Sequence, residues 1–138
     1  LVGNVEGFSK KTKHIKIKND NKEKHANALI ENLEDLYEKN IHPNDIAVIT
    51  LASRDESCVN NIPASYNNLL AEFNSSYDGM TKVKFFDVLG FKGQEVRFVI
   101  LVDIYMDIDK SKLRNLFYTG LTRAKTAAVV IRNEKVVI

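Results

Sequence analysis

At 138 residues, with 44% hydrophobic and 28% charged side chains, the chain has the length and composition of one ordinary folded domain. No apolar run approaches the roughly 20 residues needed to cross a bilayer; the longest, Phe98 to Val102 and Ala127 to Ile131, are strand-sized, so no membrane partner is expected. A net charge of +2 is too small to announce a polyanion partner, and the single cysteine, Cys58, excludes an internal disulfide and fits a reducing, cytoplasmic compartment.

The first residue is Leu rather than Met, and the opening shows no basic segment followed by an apolar stretch. The chain therefore reads as a fragment without a signal peptide. Lysines crowd this end, from Lys10, Lys11 and Lys13 through Lys16 and Lys18 to Lys22 and Lys24. They suit either a phosphate-contacting patch or the solvated side of an edge strand and the helix behind it, lysine being a common guard against strand pairing.

His14 to Lys18 alternates apolar and polar residues, the period of a half-exposed strand. Asp20 and Glu23 have capping-box spacing, and Ala26, Leu29, Ile30, Leu33, Leu36 and Tyr37 recur at helical intervals. A helix is expected to about Lys39, stopped by Asn40 and Pro43. Ile46 to Leu51 is almost wholly apolar, as in a parallel strand covered on both faces. Further on, Tyr66, Leu69, Leu70 and Phe73 suggest a short helix, and Ser75 to Gly79 a loop. Val83 to Phe86 predicts a short strand and Phe98 to Ile104 the best buried one. Lys112 to Ala124 predicts a helix with Leu113, Leu116, Phe117, Gly120 and Leu121 on one face. Ala127 to Ile131 completes the strands, with Lys135 to Ile138 a candidate for one more. Strands alternating with helices predict one α/β domain over residues 1–138, its sheet mainly parallel and covered by helices on both faces.

Two segments carry chemistry. In Lys92-Gly93-Gln94-Glu95 the glycine permits a positive φ or close backbone approach, the lysine offers a point charge for phosphate, and the carboxylate can bind ribose hydroxyls. A loop at the edge of a parallel sheet is a usual ligand position. In Leu116-Phe117-Tyr118-Thr119-Gly120-Leu121-Thr122-Arg123-Ala124-Lys125, Arg123 falls on the flank of the apolar helical stripe. There it can pair with a carboxylate or the helix C-terminus, or reach into a cleft shared with another domain, where its planar fork binds phosphate oxygens.

Together the Lys-Gly-x-Glu turn, the buried strand and the aromatic-rich helix ending in Leu-Thr-Arg-Ala resemble motifs V and VI of superfamily 1 (UvrD/Rep-like) helicases. The resemblance is to their second, C-terminal motor domain; it spans the chain and is specific from Lys92 to Ala124. It implies a RecA-like, P-loop NTPase-like fold, and an ATP-dependent parent enzyme working on single-stranded DNA or RNA. Arg123 would then be the catalytic arginine finger, with Gly93 and Glu95 also at the nucleotide. Phe91, Lys92 and Thr122 would be candidates to touch nucleic acid, with Thr122 alternatively steadying its helix end. Phe117 and Tyr118 would serve core and interface. Many members place Thr and His just before the Lys-Gly turn, where this chain has Asp87-Val88-Leu89-Gly90-Phe91.

No Gly-x-x-x-x-Gly-Lys-Ser/Thr loop occurs anywhere, so hydrolysis cannot be complete within these residues. The resemblance assigns the phosphate loop and the magnesium that accompanies ATP to an N-terminal RecA-like domain of the same parent chain, and no metal site is expected here. Two other readings stand beside it: a non-catalytic interaction module derived from such a domain, and an unrelated doubly wound enzyme. The last needs a phosphate-binding first loop near the N-terminus, which the sequence does not show, and Glu95 and Arg123 on opposite edges of the sheet would rule out the helicase reading.

Overall fold

The computed structural model describes residues 11–66, 68–75, 81–91 and 93–138. Its centre is a five-stranded sheet built from β1 (Lys11–Ile17), β2 (Ile46–Thr50), β3 (Lys84–Asp87), β4 (Val96–Ile104) and β5 (Ala124–Asn133). The spatial order is β1-β5-β4-β2-β3, and every pairing is parallel. Helix α1 (Lys22–Glu38) and helix α2 (Lys110–Leu121) cover opposite faces.

Alternation in the central strands divides the core in two. On β2, Ile46 and Val48 pack beneath α1 with Ile100, Val102 and Ile131, whereas Ala47 and Ile49 pack beneath α2 with Val99, Leu101 and Val130. All five residues of β2 are buried, as expected of a strand with both faces covered. At the edge, β1 leaves its lysines exposed, and Ile15 and Ile17 reach inward beside α1. Lys10 lies outside the described residues. No helix among the described residues is long and apolar enough to span a membrane.

Helix α1 begins one residue later than its capping-box spacing suggests. Asn21, not Asp20, is the N-cap, its side chain accepting from Lys24 N at 3.0 Å. The Asp20 carboxylate is engaged elsewhere, with Asn133 Nδ2 at 2.7 Å and Met106 N at 3.2 Å. The far end stops as predicted: Asn40 adopts φ +64°, Asn40 N donates to Tyr37 O and Ile41 N to Leu36 O. That pair of bonds satisfies the last carbonyls of the helix, and Leu36 and Ile41 both settle against the core beneath α1.

Three further expectations are corrected. Among the described residues of 66–73 no α-helix forms: Tyr66 closes a short 3-10 turn (Ala64–Tyr66), and Leu69 to Asn74 runs alongside Val83 to Phe85, with Ala71 N to Val83 O at 2.8 Å and Asn74 N to Phe85 O at 2.9 Å. Its apolar residues meet the core in extended form, Phe73 edge-on to Phe85. Helix α2 ends at Leu121 rather than Ala124, because Ala124 already begins β5. Lys135 to Ile138 forms no strand: the Asn133 side chain and carbonyl accept from Lys135 N and Val136 N, folding the chain into a turn. Most of the predicted Ser75 to Gly79 loop lies outside the described residues.

Candidate functional site

The segment between β3 and β4 must travel from the carboxyl end of the sheet back to its amino end, because the two strands are parallel. It makes the crossing without a helix. Asp87 secures the start: its Oδ1 accepts from Gly90 N at 2.5 Å, and its backbone N–H donates to Asn74 Oδ1 at 3.0 Å. The departure from the Thr-His pattern thus has a local structural task. Phe91 pins the middle of the crossing. It is fully buried beneath α2 with its ring 5.0 Å from Phe86, so the expectation that it contacts nucleic acid is not met.

Lys92 lies outside the described residues. Gly93 follows with φ +82°, exposed and with nothing within 4 Å of where a Cβ would sit. The glycine is therefore required by backbone conformation, not by close approach. Glu95 is exposed and directly precedes β4. This loop stands at the amino ends of the strands, opposite the end at which open α/β sheets ordinarily hold ligands.

Arg123 arrives at the same end from the other side. Thr122 is the C-cap of α2, exposed, with Oγ1 donating to Thr119 O at 2.9 Å and its N–H to Tyr118 O. Arg123 follows in the turn instead of riding on the helix flank. Its N–H donates to Gly120 O at 3.2 Å, and its carbonyl accepts from Val96 N at 3.0 Å. Val96 and Ala124 are register partners on adjacent strands, so Glu95 and Arg123 each stand one residue before a paired position. They stand at neighbouring strands and not on opposite edges of the sheet, so the arrangement that would have ruled out the helicase reading does not occur.

The Arg123 side chain is partly buried, and its Nε is buried without a hydrogen-bond partner among the described residues. A buried N–H of a permanent cation left unpaired is costly, and native proteins keep few of them. Nearby, Phe117 is core, and Tyr118 is 40% exposed with the Arg114 guanidinium 5.9 Å from its ring centroid.

Residues 83–131, which include both Glu95 and Arg123, match the family model of the UvrD-like helicase C-terminal domain. The fold of the chain is also similar to that of the C-terminal domain of a possible DNA helicase from Lactobacillus plantarum WCFS1. That similarity has a TM-score of 0.65 at 17% identity, over 91% of this chain and 74% of the other. No curated protein sequence matches the chain.

The carboxyl end of the sheet holds an arrangement that motif reading missed. Asp103, buried near the end of β4, has φ +70° at an irregularity in the pairing with β5. Its carboxylate accepts four hydrogen bonds, from Thr50 Oγ1 (2.6 Å), Ser57 Oγ (2.5 Å), Tyr105 Oη (2.6 Å) and Cys58 N (2.8 Å). Burial, reinforced by the Asp103 charge, pushes both the Tyr105 hydroxyl and the Cys58 thiol up from their ordinary values. Cys58 is thereby an unreactive core residue. The one signal in the sequence was the Asp within the otherwise apolar run Phe98 to Ile104.

Above this network opens a crevice of about 480 Å³, with Asp20, Glu56, Asp103, Asp107 and Asp109 among its lining and only Lys22 and Lys112 as cations. Such a wall repels phosphate. Among the described residues no group of three or more His, Cys, Asp or Glu side chains could hold a metal ion.

Proposed function

We propose that this helicase domain forms one wall of an ATP site completed by an N-terminal RecA-like domain of the same parent protein. The parent would be an ATP-driven helicase or translocase acting on single-stranded nucleic acid. The observation that carries the reading is Arg123: a permanent cation whose buried Nε has no partner among the described residues, tied through its carbonyl to the strand that Glu95 precedes. An anion supplied from outside the described residues would satisfy that N–H.

A guanidinium suits the equatorial oxygens of a transferring γ-phosphoryl group, where a finger of this kind is worth about 10³–10⁵ in rate. Glu95, exposed at the same end, would accept hydrogen bonds from ribose hydroxyls, and Gly93 would shape the loop between them. The chain has no phosphate-binding loop of its own, so the partner domain would supply that loop and hold the magnesium ion. Closure of the two walls around ATP and reopening after hydrolysis would move them along a strand. The name of the L. plantarum protein favours DNA as that strand. Thr122, exposed at the end of α2, and Lys92 are the remaining candidates for contact with it.

The test is strand-stimulated ATPase activity of the parent protein, intact and as Arg123→Ala. Loss of several hundredfold or more, with nucleotide binding retained, supports the reading. Unchanged turnover makes Arg123 structural and the domain an interaction module. The isolated chain is expected to bind nucleotide weakly and to hydrolyse none.

A further inference from the structure

Arg123 lies two residues beyond the last turn of α2, and one contact in the core sets where that turn sits. Gly120 is buried on the side of α2 that faces the sheet. A Cβ added there would meet Leu101 Cδ2 at 2.6 Å, with Cδ1 at 3.5 Å and Cγ at 3.6 Å. Non-bonded carbons do not approach so closely, so one of the two must move. Leu101 is fully buried in β4 between its register partners Ile49 and Val130, and protein interiors are closely packed, so moving it disturbs the core. A methyl group at position 120 would therefore lift the end of α2 from the sheet or force Leu101 out of its rotamer.

Any such displacement reaches Arg123 directly. Gly120 O accepts the Arg123 N–H, and Thr122, the C-cap, bonds to Gly120 O and Tyr118 O. On its other side Arg123 is held to β4 by the bond from Val96 N. The turn carrying Arg123 is thus stretched between a helix end set by Gly120 and a strand start that does not move.

We propose that Gly120 is a positioning residue for Arg123: its missing side chain sets the distance of α2 from β4 and so the aim of the guanidinium. This rests on the reading of Arg123 as acting on the nucleotide of a shared ATP site. The same geometry names its own compensation. Leu101→Val removes both Cδ atoms and leaves carbon near the Cγ position, 3.6 Å from an alanine Cβ at 120, an ordinary contact.

The experiment measures strand-stimulated ATPase kinetics and thermal stability of the parent protein as G120A, L101V, G120A/L101V and R123A. Because a displacement near 1 Å can cost about 10²-fold, G120A is expected to lower kcat at least about tenfold with the KM for ATP within about threefold. L101V is expected to turn over nearly as wild type, and the double variant to recover to within about threefold of it. A folded G120A with wild-type kcat, or a double variant as slow as G120A, overturns the inference while the loss in R123A still upholds the ATP reading. Full activity in R123A overturns that reading first, and the inference with it. Where G120A alone does not fold, the double variant decides: turnover within about threefold of wild type supports the inference, and a folded double variant slowed about tenfold or more overturns it.

Discussion

The two ends of the sheet treat a partly or wholly buried charge in opposite ways. At the carboxyl end, Asp103 is sealed in the core and surrounded by four donors, three hydroxyls and a backbone N–H, drawn from β2, from Tyr105 just beyond β4 and from the Ser57–Cys58 turn. At the amino end, Arg123 is only partly buried, yet its Nε has no partner among the described residues. The first arrangement is complete and welds irregular chain to the sheet. The second is incomplete as it stands. Both ends lie on β4, so one strand has its structural charge at one terminus and its candidate chemical charge beside the other. A satisfied network contributes stability and specificity of fold; an unsatisfied group marks where the molecule expects something else.

The comparison is broken most decisively by Arg123→Ala. In the parent protein it should lower strand-stimulated turnover about 10³-fold. The melting temperature of the chain should barely change, since removing an unpaired group orphans no other. A large loss of stability instead would show that Arg123 is as structural as Asp103.

Asp103→Ala should do the reverse. Three hydroxyls and the Cys58 N–H lose their acceptor, for an expected cost of about 3 kcal/mol in urea unfolding of the chain. Turnover per folded molecule of the parent should stay near wild type. Equal losses from Asp103→Asn and Asp103→Ala would identify the charge, not the donors' geometry, as what matters.

Tyr105→Phe sharpens the picture at smaller scale. It removes one donor of four and should cost about 1 kcal/mol. It also tests a pH dependence. Burial holds Tyr105 and Cys58 protonated in the folded protein above their ordinary values of 10.0 and 9.0. Below about pH 8 both states are protonated and these groups leave stability flat. As pH rises through 9 and 10 the unfolded chain releases protons that the folded chain retains, so stability should fall. Denaturant melts at stepped pH should show this fall, shallower in Tyr105→Phe. A stability that rises over that range would contradict the arrangement.

The smallest effect is expected from Glu56→Gln at the crevice rim. Its 3.1 Å ion pair with Lys22 is solvent-exposed, and its removal should change stability by no more than about 0.5 kcal/mol. A larger loss in chemical denaturation would bring the rim into the Asp103 network.

Much of this molecule was written in short-range pattern. The helical spacing in α1, its stop at Asn40, the wholly apolar β2 and the buried β4 each follow from local periodicity and turn chemistry, because those elements bury the faces their own residues define. The Lys-Gly-x-Glu and Leu-Thr-Arg-Ala segments were legible in the same way, as strings of fixed residue types and spacing. What pattern could not show was anything that depends on a distant partner. Tyr66, Leu69, Leu70 and Phe73 have the spacing of a helix, but Leu69 to Phe73 meets the core as extended chain beside Val83 to Phe85. Phe91, exposed by any loop reading, fills a hole under α2. Asp103 finds Thr50 and Ser57 across 53 and 46 residues of sequence. Sequence alone determined the elements and the residue types able to handle a nucleotide, since both are local properties of the chain. Only the tertiary structure decided that Glu95 and Arg123 stand before paired strand starts at the amino end and which buried charges are satisfied, since parallel register and burial exist only once the whole sheet has assembled.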